Sequence, residues 1–236
     1  MVHHRHNPDA PARRDELEGE GAIRGTARME AFADGVFAIS FTLPVFQIML
    51  PSGSRDGARL GHDLLAIWPT YLGYLLASLV IGLYWVHHHF SGAIYRTTGH
   101  WFLLATVLFL TMIGFIAFPA RVFAEHVPDP AAHPAAAHYW VVSLALLSLT
   151  WLIKWTVGRL RGQVDARLEP DYIARLDRHY RRMFFGNFIA VALVFMRWEI
   201  GLALSSLLVL WLVLPPETPR YIHKAPVVEG EEAMGI

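Results

Sequence analysis

The sequence predicts an all-α membrane protein with six transmembrane helices per chain. Three observations lead there. The 236 residues are 54% hydrophobic, 13% aromatic and only 17% charged, with a mean hydropathy of +0.35. Six apolar segments follow one another between short polar connections. Positive charge collects in some of those connections and is nearly absent from others, the asymmetry expected of a chain threaded through a bilayer. Twenty basic residues balance twenty acidic ones, so no nucleic acid or other polyanionic partner is implied, and the absence of Cys excludes disulfides, thiol chemistry and thiolate metal sites.

Residues 1–27 are polar, mix Pro, Gly, His and Arg, and contain no apolar core of the kind a cleaved signal peptide needs. They read as a cytoplasmic tail, in which the opening His3-His4-Arg5-His6 run is solvated rather than metal-binding. The membrane domain then covers 28–215. Span one, 32–50, is long enough at about 1.5 Å per residue to cross most of a roughly 30 Å hydrocarbon core. Span two, 64–86, carries no charge, and span three, 101–120, ends at Pro119, which lacks an N–H to continue the helix. Its aromatics, from Phe109 to Phe118, read as packing surface. Span four, 139–158, holds Lys154 near enough to its end to snorkel. Spans five and six, 182–196 and 200–214, are short and divided by Arg197-Trp198-Glu199, which reads as a tight interfacial turn in a thin or tilted hairpin.

The connection at 159–181, with Arg182 just beyond it, contains Arg159, Arg161, Arg167, Arg175, Arg178 and Arg181, and is therefore expected on the cytoplasmic side. The segment after span three has Arg121 beside Glu125 and Asp129 and is expected outside. Six spans then leave both termini cytoplasmic, in agreement with Arg13, Arg14, Arg24 and Arg28, with 216–236 as a second tail. Within the basic linker, Pro170 suits a first helical position, and Tyr172, Ile173, Leu176 and Tyr180 form an apolar stripe at helical spacing, expected to lie on the membrane surface.

The chemistry concentrates in two places. In Arg28-Met-Glu-Ala-Phe32-Ala-Asp34-Gly-Val-Phe-Ala-Ile39, ionisable residues stand where the first apolar helix begins. An intramembrane Asp must be paired or face water, which points to an ion pathway; as an alternative, Asp34 is a helix N-terminal cap with Arg28 at the interface. The second cluster is Tyr84-Trp85-Val86-His87-His88-His89-Phe90, placed by the topology at the same membrane depth. Adjacent residues on a helix point about 100° apart, so one or two of these imidazoles can face span one and join Arg28, Phe32, Asp34 and Trp85 in a structural network. Three successive His lack the i, i+4 spacing of a two-His metal face, and no matching His on another span suits a haem.

These residues also carry a family resemblance. Arg28-x-x-x-Phe32-Ala33-Asp34 running into Gly-Val-Phe-Ala-Ile-Ser-Phe-Thr-Leu, Trp85-x-His87-His88 closing span two, and Phe118-Pro119 closing span three resemble the prokaryotic and lysosomal transmembrane protein 175 potassium channels over about residues 24–220. The resemblance implies a homotetramer of six-span subunits in a prokaryotic plasma membrane, conducting potassium ions through a central pore lined by the first helices. It also implies that Ile39 is the hydrophobic constriction and Thr42 a pore-adjacent residue. Leu43 and Phe46, at i+4 and i+7 from Ile39, continue that helix face; from spacing alone, all three apolar positions read as lipid or core contacts. Such a neck gates by dewetting and needs no carbonyl-lined filter, and the sequence has no Thr-Val-Gly-Tyr-Gly-like loop.

Three positions depart from the family pattern. Ala33 replaces a Ser, Pro44 interrupts span one and is expected to kink it between Leu43 and Phe46, and Phe46 is bulkier than the expected aliphatic residue. The function expected is a cation channel favouring potassium, without cofactor and without a voltage sensor, since no span has an Arg-rich repeat. The alternative is a proton-coupled or metal-ion transporter using Asp34 and the His87–His89 run. The spans carry no paired carboxylates, nucleophile elbow or metal motif that would suggest an enzyme.

Overall fold

A computed structural model describes residues 25–50 and 57–222. The chain forms α1 (Ala27–Thr42), a 3-10 turn (Leu43–Gln47), α2 (Leu60–Ala66), α3 (Trp68–Gly92), α4 (His100–Phe115), α5 (Ala117–Glu125), α6 (His133–Leu160), α7 (Pro170–Met196) and α8 (Trp198–Trp211). Among the described residues, four stretches are long and apolar enough to cross a membrane: Ala27–Gln47, Trp68–Gly92, His100–Glu125 and His133–Leu160. The protein is an all-helical integral membrane protein. The His3–His6 run, Arg13, Arg14 and Arg24 lie outside the described residues, as does the end of the second tail.

Successive long helices run antiparallel. Gly82 on α3 lies against Phe41 near the end of α1, and Gly92, ten residues further along α3, lies against Glu30 near the start of α1. Phe109 on α4 packs edge-on against Trp151 on α6 at 5.0 Å, while Phe102 lies beside Gly158. Trp155 meets Tyr180 near the start of α7, and His138 reaches the carbonyl of Val194 near its end. The return into α8 needs a close approach: a Cβ on Gly201 would collide with the backbone nitrogen of Val194, so only glycine lets the two helices meet there. Both described ends of the chain lie at one end of the bundle, because the Tyr221 hydroxyl donates to the carbonyl of Ala93 just after α3. The core is aromatic: Phe37, Phe102, Phe109, Trp155 and Tyr172 are each at most 2% exposed.

Several expectations are corrected. Pro119 does not end span three. The break falls after Phe115, the residue four before Pro119, whose carbonyl the proline ring crowds and cannot bond, and α5 then carries the same apolar stretch on to Glu125. By the same logic Pro44 ends α1 at Thr42 and tightens the chain into a 3-10 turn, so Phe46 does not continue an α-helical face. The stripe at Tyr172, Leu176 and Tyr180 is not laid on a membrane surface. It belongs to one continuous helix, α7, and is buried in the protein core, where Trp151 and Trp155 supply the surface it covers. Lys154 does not snorkel; it is buried to 1% exposure. The separation of α7 from α8 at Arg197 is as tight as the sequence suggests.

Candidate functional site: the first helix and its polar collar

One face of α1, formed by Met29, Ala33, Phe37 and Ser40, is buried against α3 and α4. Spacings of three and four residues bring these onto one stripe, and Ala33, with no exposed surface at all, sits at its centre. Ala33, where the resemblance leads to a serine, is thus turned into the bundle. The remaining circumference is open. Phe32, Ile39, Leu43 and Phe46 are 57%, 58%, 53% and 75% exposed. Thr42 is exposed too, with its hydroxyl tied back to the carbonyls of Ala38 and Ile39 at 2.9 and 3.2 Å.

Asp34 is not an N-terminal cap. It stands seven residues inside α1, about two turns from its start. Its carboxylate accepts a hydrogen bond of 3.1 Å from the Trp85 indole, at the mouth of a groove of about 480 Å³ between α1 and α3 that also includes Phe41, Thr42 and Gly82. Arg28 is exposed and pairs with no carboxylate among the described residues. The three imidazoles part company, as a 100° step demands. His87 donates to the carbonyl of Leu212 at 2.9 Å. His88 faces α1 through a ring stack on Phe37 at 5.4 Å, not through a bond to Asp34, and accepts a 3.0 Å hydrogen bond from Lys154. His89 lies beside Trp85, with ring centroids 5.8 Å apart. Within the subunit the expected network therefore reduces to the Asp34–Trp85 bond, with His88 contacting α1 separately.

Lys154 escapes the sequence reading because it lies only six residues from the end of α6. The signal that could have found it is its setting, with Leu152, Ile153 and Trp155 around it and Trp151 one turn back. At the same end of the bundle one ion pair lies in the loop after α6 and a second ties α7 to the stretch after α8. Arg167 bonds Asp165 and holds its carboxyl below the usual carboxylate range, and Arg175 does the same for Glu217.

Apolar helices in antiparallel contact, the first largely uncovered by its own chain and bearing a carboxylate two turns in, define a polytopic membrane protein with a candidate conduction helix. Residues 28–117 match the family model described as "Endosomal/lysosomal potassium channel TMEM175". The chain is 31% identical over 187 residues to a potassium channel of Streptomyces collinus, covering 79% of this chain and 90% of that one. It is 32% identical over 193 residues to a potassium channel of Chamaesiphon minutus, covering 80% and 94%. The crystal structure of a lysosomal potassium-selective channel TMEM175 homolog from Chamaesiphon minutus superposes with a TM-score of 0.65 at 27% identity, covering 80% of this chain and 96% of that one. The chain belongs to the TMEM175 family of ion channels, and it is not an enzyme.

Proposed function

We propose that the protein is a homotetrameric potassium channel of a prokaryotic plasma membrane, each subunit crossing six times, with α1 around a central pore and Ile39 as its constriction. The observation that carries this reading is the face of α1. Ile39, on the side of α1 turned away from Phe37, and Leu43 and Phe46 in the 3-10 turn that follows are large apolar side chains that their own chain leaves more than half exposed. Four copies converging on an axis would bury them against one another and make a narrow, weakly hydrating neck. Selectivity there depends on how readily an ion sheds water. Thr42 would lie just beyond the Ile39 ring. Asp34, bonded to Trp85, would stand toward the other end with Arg28 and Phe32, where a neighbouring subunit could complete the polar collar. Homologues named as potassium channels support the choice of ion.

The basic linker supports the orientation. Arg159, Arg161, Arg167 and Arg175 stand at the end of the bundle where α1 begins and where the described C-terminal stretch packs, so that end is assigned to the cytoplasm and both termini with it. Helices α7 and α8 are assigned as a short or tilted pair of spans.

The test is single-channel recording of the purified protein in planar bilayers with potassium on one side and sodium on the other. Unitary currents reversing toward the potassium equilibrium potential are expected. Saturable counterflow without unitary current would instead favour a transporter.

A further inference from the structure

Lys154 places a side-chain amine deep in the aromatic core. It lies six residues inside the end of α6 at 1% exposure, and no carboxylate within ion-pair distance is found for it among the described residues. Its ammonium lies 5.1, 5.4 and 5.6 Å from the ring centroids of Trp151, Tyr95 and Phe109, and donates to Nδ1 of His88 at 3.0 Å. His88, 3% exposed, stacks flat on Phe37, the most buried large side chain of α1. A chain of contacts thus runs from α6 through α3 into the buried stripe of α1. Residues 37 and 39 are about 200° apart around the helix, so rotating α1 about the Phe37 contact swings Ile39 by the same angle.

Burying a charged amine is expensive, and aromatic faces return only part of the loss. A shape-matched apolar residue would fill the same space and pack well on aromatic rings. The fold nevertheless keeps the amine there. We propose that Lys154 is a positioning residue for the conduction helix: its bond to His88 fixes the imidazole on Phe37, and this stack sets the rotation of α1 that aims Ile39 at the pore axis. The inference rests on the channel reading. It assigns a role in ion selection to a residue on a helix that does not line the pore.

The chemistry also ties the contact to protonation. With Nδ1 accepting from Lys154, the neutral imidazole of His88 keeps its proton on Nε2, and a second proton must enter at Nδ1 and displace the lysine. The other titratable groups around the pair are Glu30 on α1, Tyr84 and His89 on α3, Tyr95 after α3, and Tyr180 on α7.

The test uses the full-length assembled protein in planar bilayers, with wild-type current as the control for the channel reading: a wild type that passes no potassium overturns that reading and the positioning role with it, whereas the variants below overturn the positioning role alone. Lys154→Met is expected to assemble, to melt at the wild-type temperature or above, and to lose potassium-over-sodium preference about fivefold or more, the low end of ordinary coupling between sites. His88→Phe, which keeps a ring for Phe37 but removes the acceptor, should give the same loss, and the double variant should lose no more than either single one. Acid that lowers the preference in wild type should leave His88→Phe unchanged. Three results would overturn the proposal: unchanged selectivity in His88→Phe, additive losses in the double variant, or failure of Lys154→Met to assemble, which would make Lys154 a folding residue only.

Discussion

Helices α1 and α6 are both apolar and both long enough to cross a membrane, but the chain treats them differently. Of the apolar stretch of α6, 56% is buried inside the subunit; of that of α1, 28% is. Helix α6 is covered by α4, α5, α7 and α8, and its tryptophans hold the aromatic core together. Helix α1 touches its own chain along one stripe and presents the rest outward. The difference teaches which residues serve folding and which are left for another surface. In α6 even Lys154 is turned inward, whereas in α1 large apolar side chains are turned out, where lipid or a neighbouring subunit would cover them.

That contrast can be broken at several points, the largest effect first. Trp155→Ala in α6 removes a fully buried ring together with its hydrogen bond to Asp177, and should destabilise the purified protein by about 3–5 kcal/mol in detergent melting. Phe46→Ala, a comparable truncation in the turn after α1, should change subunit stability little and affect assembly or conductance instead. Equal losses for the two would erase the distinction.

Asp34→Ala should fall between them. It deletes the acceptor of the Trp85 indole, worth about 1 kcal/mol. In a cycle with Trp85→Phe the second substitution should add almost nothing, and fully additive melting shifts would show that the bond does not couple the two helices.

The smallest effect is at the end of the bundle. Asp165 and Glu217 have folded pKa values depressed by their arginine partners, so the stability they contribute is present above the ordinary carboxylate pKa and is lost as pH falls below about 4. Hydrogen exchange should show the stretch after α8 loosening there in acid, and Glu217→Gln should remove part of that pH dependence.

The helical membrane fold was legible because a hydrocarbon solvent leaves few alternatives to apolar helices. The breaks were legible only in part. Proline shows where a helix cannot bond, but both Pro44 and Pro119 move the break to a residue before themselves, near the carbonyl they crowd. Lys154 and the Tyr172–Tyr180 stripe were misplaced for a common reason: periodicity shows that a face is apolar or that a charge is near an end, and not whether lipid or another helix will cover it. The motif around Asp34 found its partner on α3 in Trp85, while the directions of His87 and His88 depended on α8 and α6, elements more than fifty residues away.

The central claim is that the open face of α1 forms the pore neck, and it is tested most directly by recording Ile39→Asn beside wild type under opposed potassium and sodium gradients. Asn at the constriction should wet and widen the neck, so conductance is expected to rise and the reversal potential to move toward zero as selectivity is lost. An Ile39→Asn channel with wild-type conductance and reversal potential would place the pore elsewhere.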